Sequence, residues 1–149
     1  MNTLSNDDRQ FLERKALASR KNVLRMIKAG KTGHVGGALS IIDTITALYF
    51  KVMKVDPQNP KDPDRDRFIL SAGHKCLALY AVLAEAGFFE KEVLDTYGNI
   101  SSKLPGHPDM HKLPGVESNT GALGHGLSIG VGMALGLAME KRAEGPRVY

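Results

Sequence analysis

The chain of 149 residues is 42% hydrophobic and 24% charged, proportions typical of a globular protein, and its formal net charge of +4 is modest. The basic run at residues 14–31 has no interleaved aromatic side chains that could stack on bases, so it predicts a solvated helix face and no nucleic-acid partner. The single cysteine, Cys76, excludes an intrachain disulfide and a thiol-based metal site, and it fits a reducing, cytoplasmic compartment.

Two segments of the sequence are considered as a signal peptide or a membrane span. The first ten residues lack the apolar core of a signal peptide. Residues 118–139 are uncharged, but their many glycines make them weakly hydrophobic for a bilayer span. We therefore expect no association with a membrane.

The first two predicted elements are helices. Ser5 or Asn6 is suited to cap a helix that runs to about Ala29 and is closed by Gly30. The glycine-rich segment "KTGHVGGALS" follows and is expected to be a loop. Ser40 is then suited to cap a second helix, "SIIDTITALYFKVM".

The middle of the chain alternates loops with regular elements. Three prolines predict an internal loop over residues 55–66, and "RFILS", residues 67–71, is typical of a buried parallel strand. A helix is expected from His74 to its end at Gly87, followed by a short helix over residues 91–98. Residues 99–119 are rich in proline and predict a long irregular segment, of the kind that often carries function.

The last part of the chain predicts a helix and a strand. A helix from about Leu123 to Arg142 carries small residues four apart, which let another element approach closely: Gly126, Gly130, Ala134 and Ala138. Residues 145–149, "GPRVY", are typical of a second parallel strand at its start. We therefore predict an α/β fold, a parallel sheet flanked by helices. Two strands are too few for such a sheet, so residues 1–149 are expected to be the N-terminal portion of one domain.

Four of the five histidines directly follow a glycine: His34, His74, His107 and His125. Each pair lies where a loop meets a predicted helix or in a long loop, and ligands of open α/β sheets bind at such places. Imidazole offers a neutral donor and acceptor or a cation near neutral pH, which suits a ligand rich in hydroxyl, carbonyl and phosphate groups. Histidines that are merely solvated in turns are the alternative, and for the first three we favour ligand binding.

A metal site is the competing interpretation for one histidine pair. His107 and His111 are four apart, as zinc ligands on a helix would be, but Pro105, Pro108 and Pro114 disfavour a helix there. We therefore expect no metal ligand in this segment and an exposed His111. Nucleophile-elbow, reactive-cysteine and phosphate-binding P-loop motifs are also absent from the sequence.

Three blocks of the sequence resemble consecutive blocks of the N-terminal region of transketolase: "TGHVGGALSIIDTITALYF", "DRFILSAGHKCLALYAVLAEAGFF" and "LPGHPDMHKLPGVESNTGALGHGLSIGVGMALGLAMEKR". The resemblance extends from about Leu12 to Tyr149, in the order and approximate spacing of that family. The segment around His125 is more similar to the separate N-terminal subunits of split transketolases, because single-chain members usually have glutamine there.

The resemblance implies a thiamine-diphosphate-binding fold and the transfer of a two-carbon ketol unit from a ketose phosphate to an aldose phosphate. By matching position, His34 would contact the substrate and assist proton transfer, and His107 would hold the hydroxyl and carbonyl end of the donor. His74 would hydrogen-bond the cofactor diphosphate. Gly121, Ala122 and Leu123 would line its aminopyrimidine and thiazolium rings, and His125 would be a further cofactor-binding residue.

The same resemblance implies components outside this chain. Mg²⁺ would be bound by a Gly-Asp-Gly motif and an asparagine that are expected downstream of residue 149, since Mg²⁺ prefers oxygen ligands. The partner would be a C-terminal transketolase subunit or domain, in a homodimer or heterotetramer, and these 149 residues alone are expected to be inactive. The alternative is a non-catalytic interaction or assembly module of the same fold that lacks the Mg²⁺ site.

Overall fold

Three helices form the core of the computed structural model, which describes residues 4–140 and 145–149. They are α1 (Asn6–Gly30), α2 (Val35–Ala47) and α3 (Cys76–Ala86), and each packs against the other two. All nine residues from 76 to 84 are buried, as expected for a helix that is apolar all round. The core is therefore built around α3.

The start of α1 is as predicted, and its end differs by one residue. The Ser5 hydroxyl accepts a hydrogen bond from the Asp8 N–H at 3.0 Å, and the Asp8 carboxylate accepts one from the Ser5 N–H at 3.4 Å. The left-handed residue that ends the helix is Lys31, with φ of 53°, and Gly30 is still helical. Gly30 is required by packing, because a Cβ there would lie 2.7 Å from Cδ1 of Tyr97.

The prediction that α2 begins at Ser40 is wrong, because the helix begins five residues earlier, at Val35. Gly36 and Gly37 therefore lie in its first turn and not in a loop. Glycine costs up to about 1 kcal/mol per residue in a helix. Burial of Ala38, which is 0% exposed, favours the early start.

Helix α2 continues into a π-helical turn, Leu48–Val52. Together they form one helix, Val35–Val52, that is long and apolar enough to cross a membrane by length and composition. Its residues Ala38, Ile42 and Ile45 are at most 1% exposed and belong to the core described above. These buried residues pack the helix against α1 and α3.

Two short 3₁₀ helices flank α3. Gly73–Lys75 leads directly into it, and Lys91–Thr96 follows where a short helix over residues 91–98 was expected. Gly87, with φ of 91°, ends α3 in the left-handed conformation, as predicted. Residues 97–124 contain turns but neither helix nor strand.

The two predicted strands pair in parallel, although neither is a full strand among the described residues. An isolated parallel bridge joins Arg67 to Val148. The N–H groups of Arg67 and Tyr149 donate to Arg147 O and Arg67 O, both at 2.8 Å, and the Ile69 N–H donates to Tyr149 O at 3.0 Å. This alternation is the hydrogen-bond pattern of a parallel ladder.

The fourth helix, α4 (His125–Met139), lies outside the three-helix core. It begins two residues after the predicted Leu123, and its predicted end at Arg142 lies outside the described residues. Gly126 is its buried residue, and a Cβ there would lie 2.5 Å from Cβ of Ser71. The small residue therefore allows the predicted close approach, here to the end of the "RFILS" segment.

Candidate functional site

The imidazole rings of His34 and His74 are in contact. Their centroids lie 5.2 Å apart and the ring planes meet at 68°, an edge-to-face arrangement. His34 immediately precedes α2, and His74 lies in the 3₁₀ turn that precedes α3. Gly37, in the first turn of α2, lies beside the same turn, since a Cβ there would lie 3.3 Å from Cγ of Lys75 and 3.8 Å from Cδ2 of His74. The starts of two helices thus bring two predicted site histidines together.

The backbone of Gly73 lies directly against Thr120. A Cβ on Gly73 would lie 2.4 Å from the carbonyl oxygen of Thr120, so no other residue fits there without moving backbone. The buried Thr120 hydroxyl donates to the carbonyl of Leu70 at 2.6 Å. The turn that carries His74 and the loop that leads to α4 are therefore fixed against each other.

The next residue of that loop, Gly121, lies beside His107. A Cβ on Gly121 would lie 3.6 Å from Cδ2 of His107, an ordinary van der Waals distance, and both residues are exposed. Three contacts therefore connect four separate parts of the chain: His34 with His74, Gly73 with Thr120, and Gly121 with His107.

The other predicted cofactor-binding residues are exposed where the loop enters α4. Leu123 is 70% exposed, and Gly124 adopts a left-handed φ of 94° as the residue that precedes the helix. The His125 N–H donates to the carbonyl of Ala122 at 3.3 Å. Among the predicted cofactor-binding residues at 121–125, Gly121 is the one that lies beside the ring of His107.

Two buried side chains of α3 hydrogen-bond the segment that carries His107. The Tyr80 hydroxyl lies 2.9 Å from the carbonyl oxygen of Pro105 and 3.1 Å from that of His107. The Cys76 thiol lies 3.1 Å from the carbonyl oxygen of Gly106. The main chain of residues 105–107 is therefore attached to the core, while the His107 side chain remains exposed.

Two arginines of the basic run in α1 are paired with acidic residues of other elements. Arg20 lies 2.7 Å from Asp43, and Arg25 binds Asp95 through two hydrogen bonds. The hydrogen bond from Arg25 lowers the pKa of the Asp95 carboxyl. These charges thus join α1 to α2 and to the 3₁₀ helix that follows α3.

Within residues 4–140 and 145–149, no group of three or more histidine, cysteine, aspartate or glutamate side chains is placed to hold a metal ion. His107 and His111 lie in turns and not on a helix. His111 is exposed as predicted, and its N–H donates to Oδ1 of Asp109 at 2.9 Å.

Sequence reasoning missed two residues of this region, Thr120 and Tyr80. Thr120 directly precedes the predicted Gly121, but its bond to Leu70 spans fifty positions of sequence and has no local signal. Tyr80 reads as an ordinary core residue of an apolar helix. Its spacing of four from Cys76 was the available hint, because both side chains then share one helix face.

The arrangement of elements is that of transketolases, which have an α/β thiamine-diphosphate-binding fold. The transketolase of Leishmania mexicana matches this structure with a TM-score of 0.81 and 37% identity, over 85% of this chain and 19% of that protein. The transketolase of Campylobacter jejuni matches with a TM-score of 0.81 and 32% identity, over 95% of this chain and 21% of that protein.

Sequence comparison gives the same family. The family model described as transketolase, thiamine diphosphate binding domain, matches residues 13–144, and this chain belongs to that family. It is 49% identical over 132 residues to one of the subunits of the apulose-4-phosphate transketolase of Phocaeicola vulgatus, and 48% identical over 129 residues to a 6-deoxy-6-sulfo-D-fructose transketolase subunit of a Clostridium species. These matches cover 89% and 87% of this chain and 47% of each relative, so the chain spans about half of their length.

Proposed function

We propose that this chain is the cofactor-binding component of a transketolase that transfers a two-carbon ketol unit from a ketose phosphate to an aldose phosphate, using thiamine diphosphate and Mg²⁺. The observation that carries the proposal is the series of contacts that joins His34, His74, Gly121 and His107. Four distant segments converge there, and the family to which the chain belongs is named for thiamine diphosphate binding.

The residues at this place suit thiamine diphosphate. Gly121 is exposed and has no side chain, so a flat ring is able to approach the loop backbone next to His107. The neighbouring imidazoles offer donors for phosphate and hydroxyl oxygens. When bound, thiamine diphosphate supplies the electron sink that carbon–carbon bond cleavage in a ketose requires.

Each residue has a separate task in this proposal. His74, half-buried at the start of α3, donates a hydrogen bond to the cofactor diphosphate. His34, exposed beside it, accepts and returns a proton at a hydroxyl oxygen of the sugar. His107 binds the hydroxyl and carbonyl oxygens of the donor. The remaining residues line the cofactor rings: Gly121, Ala122, Leu123 and His125.

The described residues do not provide a ligand set for Mg²⁺. We expect the oxygen ligands of this ion from residues downstream of position 149, as the resemblance to the family implies. In this proposal none of the residues described above binds Mg²⁺.

We further propose that the chain works with a C-terminal transketolase subunit or domain, in a homodimer or heterotetramer. The relatives from Phocaeicola and Clostridium are both named as subunits, which supports the existence of a partner subunit for this chain. Helix α4 supports it as well, because its side chains at Leu127, Leu135 and Met139 are 74%, 63% and 82% exposed. A cytoplasmic location is proposed from the single, buried thiol of Cys76.

The test is ketol transfer by the native polypeptide that carries this sequence, assembled with its C-terminal partner and supplied with thiamine diphosphate and Mg²⁺. Mass spectrometry is used to follow a panel of ketose phosphates with an aldose phosphate acceptor. We expect an acceptor that gains two carbons and a donor that loses two. Folded assemblies that bind cofactor but transfer nothing from any donor would contradict the proposal and favour the non-catalytic assembly module.

A further inference from the structure

Three carbonyl groups in a row accept hydrogen bonds from one helix. The carbonyls of Pro105 and His107 share the proton of the Tyr80 hydroxyl, at 2.9 and 3.1 Å, and the carbonyl of Gly106 between them accepts from the Cys76 thiol at 3.1 Å. The segment Pro105–His107 has no regular structure of its own. Its main chain is therefore held against α3 by these two side chains.

The helix that provides them is buried on all sides from residue 76 to residue 84. Cys76 and Tyr80 are 1% and 0% exposed, and their spacing of four places them on the same face of α3. The residues on either side of the segment, Leu104 and Pro108, are also buried. Gly106 and His107 are exposed between these two fixed points.

Both donors keep their protons over the neutral range. Burial raises the pKa of the Cys76 thiol to about 11, and it raises the pKa of the Tyr80 hydroxyl above its ordinary value as well. Neither group therefore becomes an anion that would repel the carbonyl oxygens beside it.

We propose that Tyr80, assisted by Cys76, is a positioning residue for His107: by holding the carbonyls of residues 105–107 it directs the exposed imidazole of His107 toward Gly121. Helix α3 begins directly after the turn that carries His74. One buried helix thereby sets the positions of both His74 and His107, which lie in segments about thirty residues apart. This inference rests on the proposed function, in which His107 binds the ketose donor.

The test uses the assembled enzyme and the variant Tyr80→Phe, which removes the hydroxyl and keeps the ring. The matched control is Tyr49→Phe, the same change at a buried ring that packs against Phe68 and Phe88. We expect Tyr80→Phe to lower kcat/KM for the donor about tenfold, because a displaced His107 would bind the donor oxygens less well, and to leave the Kd of thiamine diphosphate within about twofold. Tyr49→Phe should leave both unchanged.

A second measurement, the NMR signal of the His107 ring, does not depend on turnover. In protein labelled with ¹³C-histidine, the ring signal of His107 is assigned by its loss in His107→Ala. We expect Tyr80→Phe to shift or broaden this signal and to leave that of His111 in place, while Tyr49→Phe changes neither. Cys76→Ala should have a smaller effect of the same kind, and Cys76→Ser, which keeps a donor, should restore the wild-type signal.

The decisive comparison is Tyr80→Phe in a His107→Ala background. If Tyr80 acts through His107, the second change costs less than about twofold there, because the group it positions is already gone. An equal loss in both backgrounds, or a folded Tyr80→Phe with wild-type kinetics and an unmoved His107 signal, would overturn the inference. If Tyr80→Phe does not fold, Cys76→Ala and Cys76→Ser are compared by the ring signal of His107: a signal that moves in Cys76→Ala and returns in Cys76→Ser supports the inference, and one that stays in place in both overturns it.

An assembled enzyme that shows no ketol transfer, or whose activity does not change in His107→Ala, would refute the proposed function instead. The ring signal of His107 would still show whether Tyr80 positions this ring.

Discussion

The rings of His34 and His74 meet edge to face with 5.2 Å between their centroids, although forty residues separate them in the sequence. Each stands at the start of a helix, so the contact is also a contact between the beginnings of α2 and α3. A ligand that binds one imidazole at this place is within reach of the other. This pairing makes the two residues a unit to be tested together with His107.

Alanine substitutions should separate binding from turnover in the assembled enzyme. His74→Ala should weaken thiamine diphosphate about tenfold, because a hydrogen bond to the diphosphate is lost. His107→Ala should lower kcat/KM for the donor roughly 100-fold while changing cofactor affinity little. Isothermal titration and steady-state kinetics measure the two quantities, and His111→Ala, at an exposed histidine, is the control. If the first two variants behaved like the control, the assigned roles would be wrong.

Gly73 should tolerate no side chain. In Gly73→Ala the new Cβ would lie 2.4 Å from the Thr120 carbonyl oxygen, which is main chain and unable to rotate away. We expect the free energy of unfolding to fall by about 2 kcal/mol or more. Gly36→Ala is the matched control, since no atom lies within 4 Å of its added Cβ. In the first turn of α2 this alanine should be neutral or stabilising by up to about 1 kcal/mol. Urea denaturation of both variants measures the difference, and equal values would contradict the contact.

The ion pair between Arg65 and Glu117 should contribute to stability, unlike the pair on the surface of α1. Two hydrogen bonds of 2.8 and 2.6 Å join the side chains, which are 18% and 10% exposed. Glu117→Gln leaves the guanidinium without its anion, and we expect a loss of about 2 kcal/mol. Glu13→Gln removes the partner of Arg9, where the side chains are 73% and 61% exposed, and should leave the free energy of unfolding nearly unchanged because solvent screens this pair. Thermal or chemical denaturation that gave both variants the same stability would refute this ranking.

Stability should fall at alkaline pH because of Cys76. Burial raises the pKa of this thiol from its ordinary 9.0 to about 11. Between these values the unfolded chain loses the proton while the folded chain keeps it, so the unfolded state binds fewer protons and the free energy of unfolding decreases as pH rises. Below pH 9 the thiol is protonated in both states and contributes no slope.

Denaturation curves measured at intervals from about pH 8 to 11 test this expectation. Cys76→Ser removes the titrating thiol and should flatten the slope between about pH 9 and 10. Burial also raises the pKa of Tyr49 and of Tyr80, so a slope should remain above about pH 10 in the variant. An unchanged slope in Cys76→Ser would show that the thiol is not the cause.

Features that depend on neighbouring residues could be predicted from the sequence. A cap at Ser5 or Asn6 and the end of a helix at Gly87 were both expected, and the structure has Ser5 as the cap and Gly87 in the left-handed conformation. Each of these residues satisfies helix-end groups that lie within a few residues of it. Parallel strands at residues 67–71 and 145–149 were also expected from their short apolar runs, and the isolated parallel bridge between Arg67 and Val148 lies in these two segments. That the two segments pair with each other was not predicted. The family, too, was indicated by the order of its sequence blocks, and the match over residues 13–144 confirms it.

Local signals failed where distant packing decides the structure. The glycines after His34 predicted a loop, but α2 begins at Val35 because Ala38 is buried against the core. Gly30 was expected to end α1, yet its lack of a side chain serves the approach of Tyr97. Glycine permits both a turn and a close contact, and only the neighbours in space determine which use applies.

The amino-acid sequence already specifies the chemical groups that are available for a site: the histidines and the glycines that precede them. The tertiary structure alone decided which of these groups meet. The contacts of Gly73 with Thr120, of Gly121 with His107 and of Tyr80 with residues 105–107 join segments that are fourteen to forty-seven positions apart. Such contacts leave no periodic or local pattern in the sequence, because they depend on how buried helices and loops fit together in three dimensions.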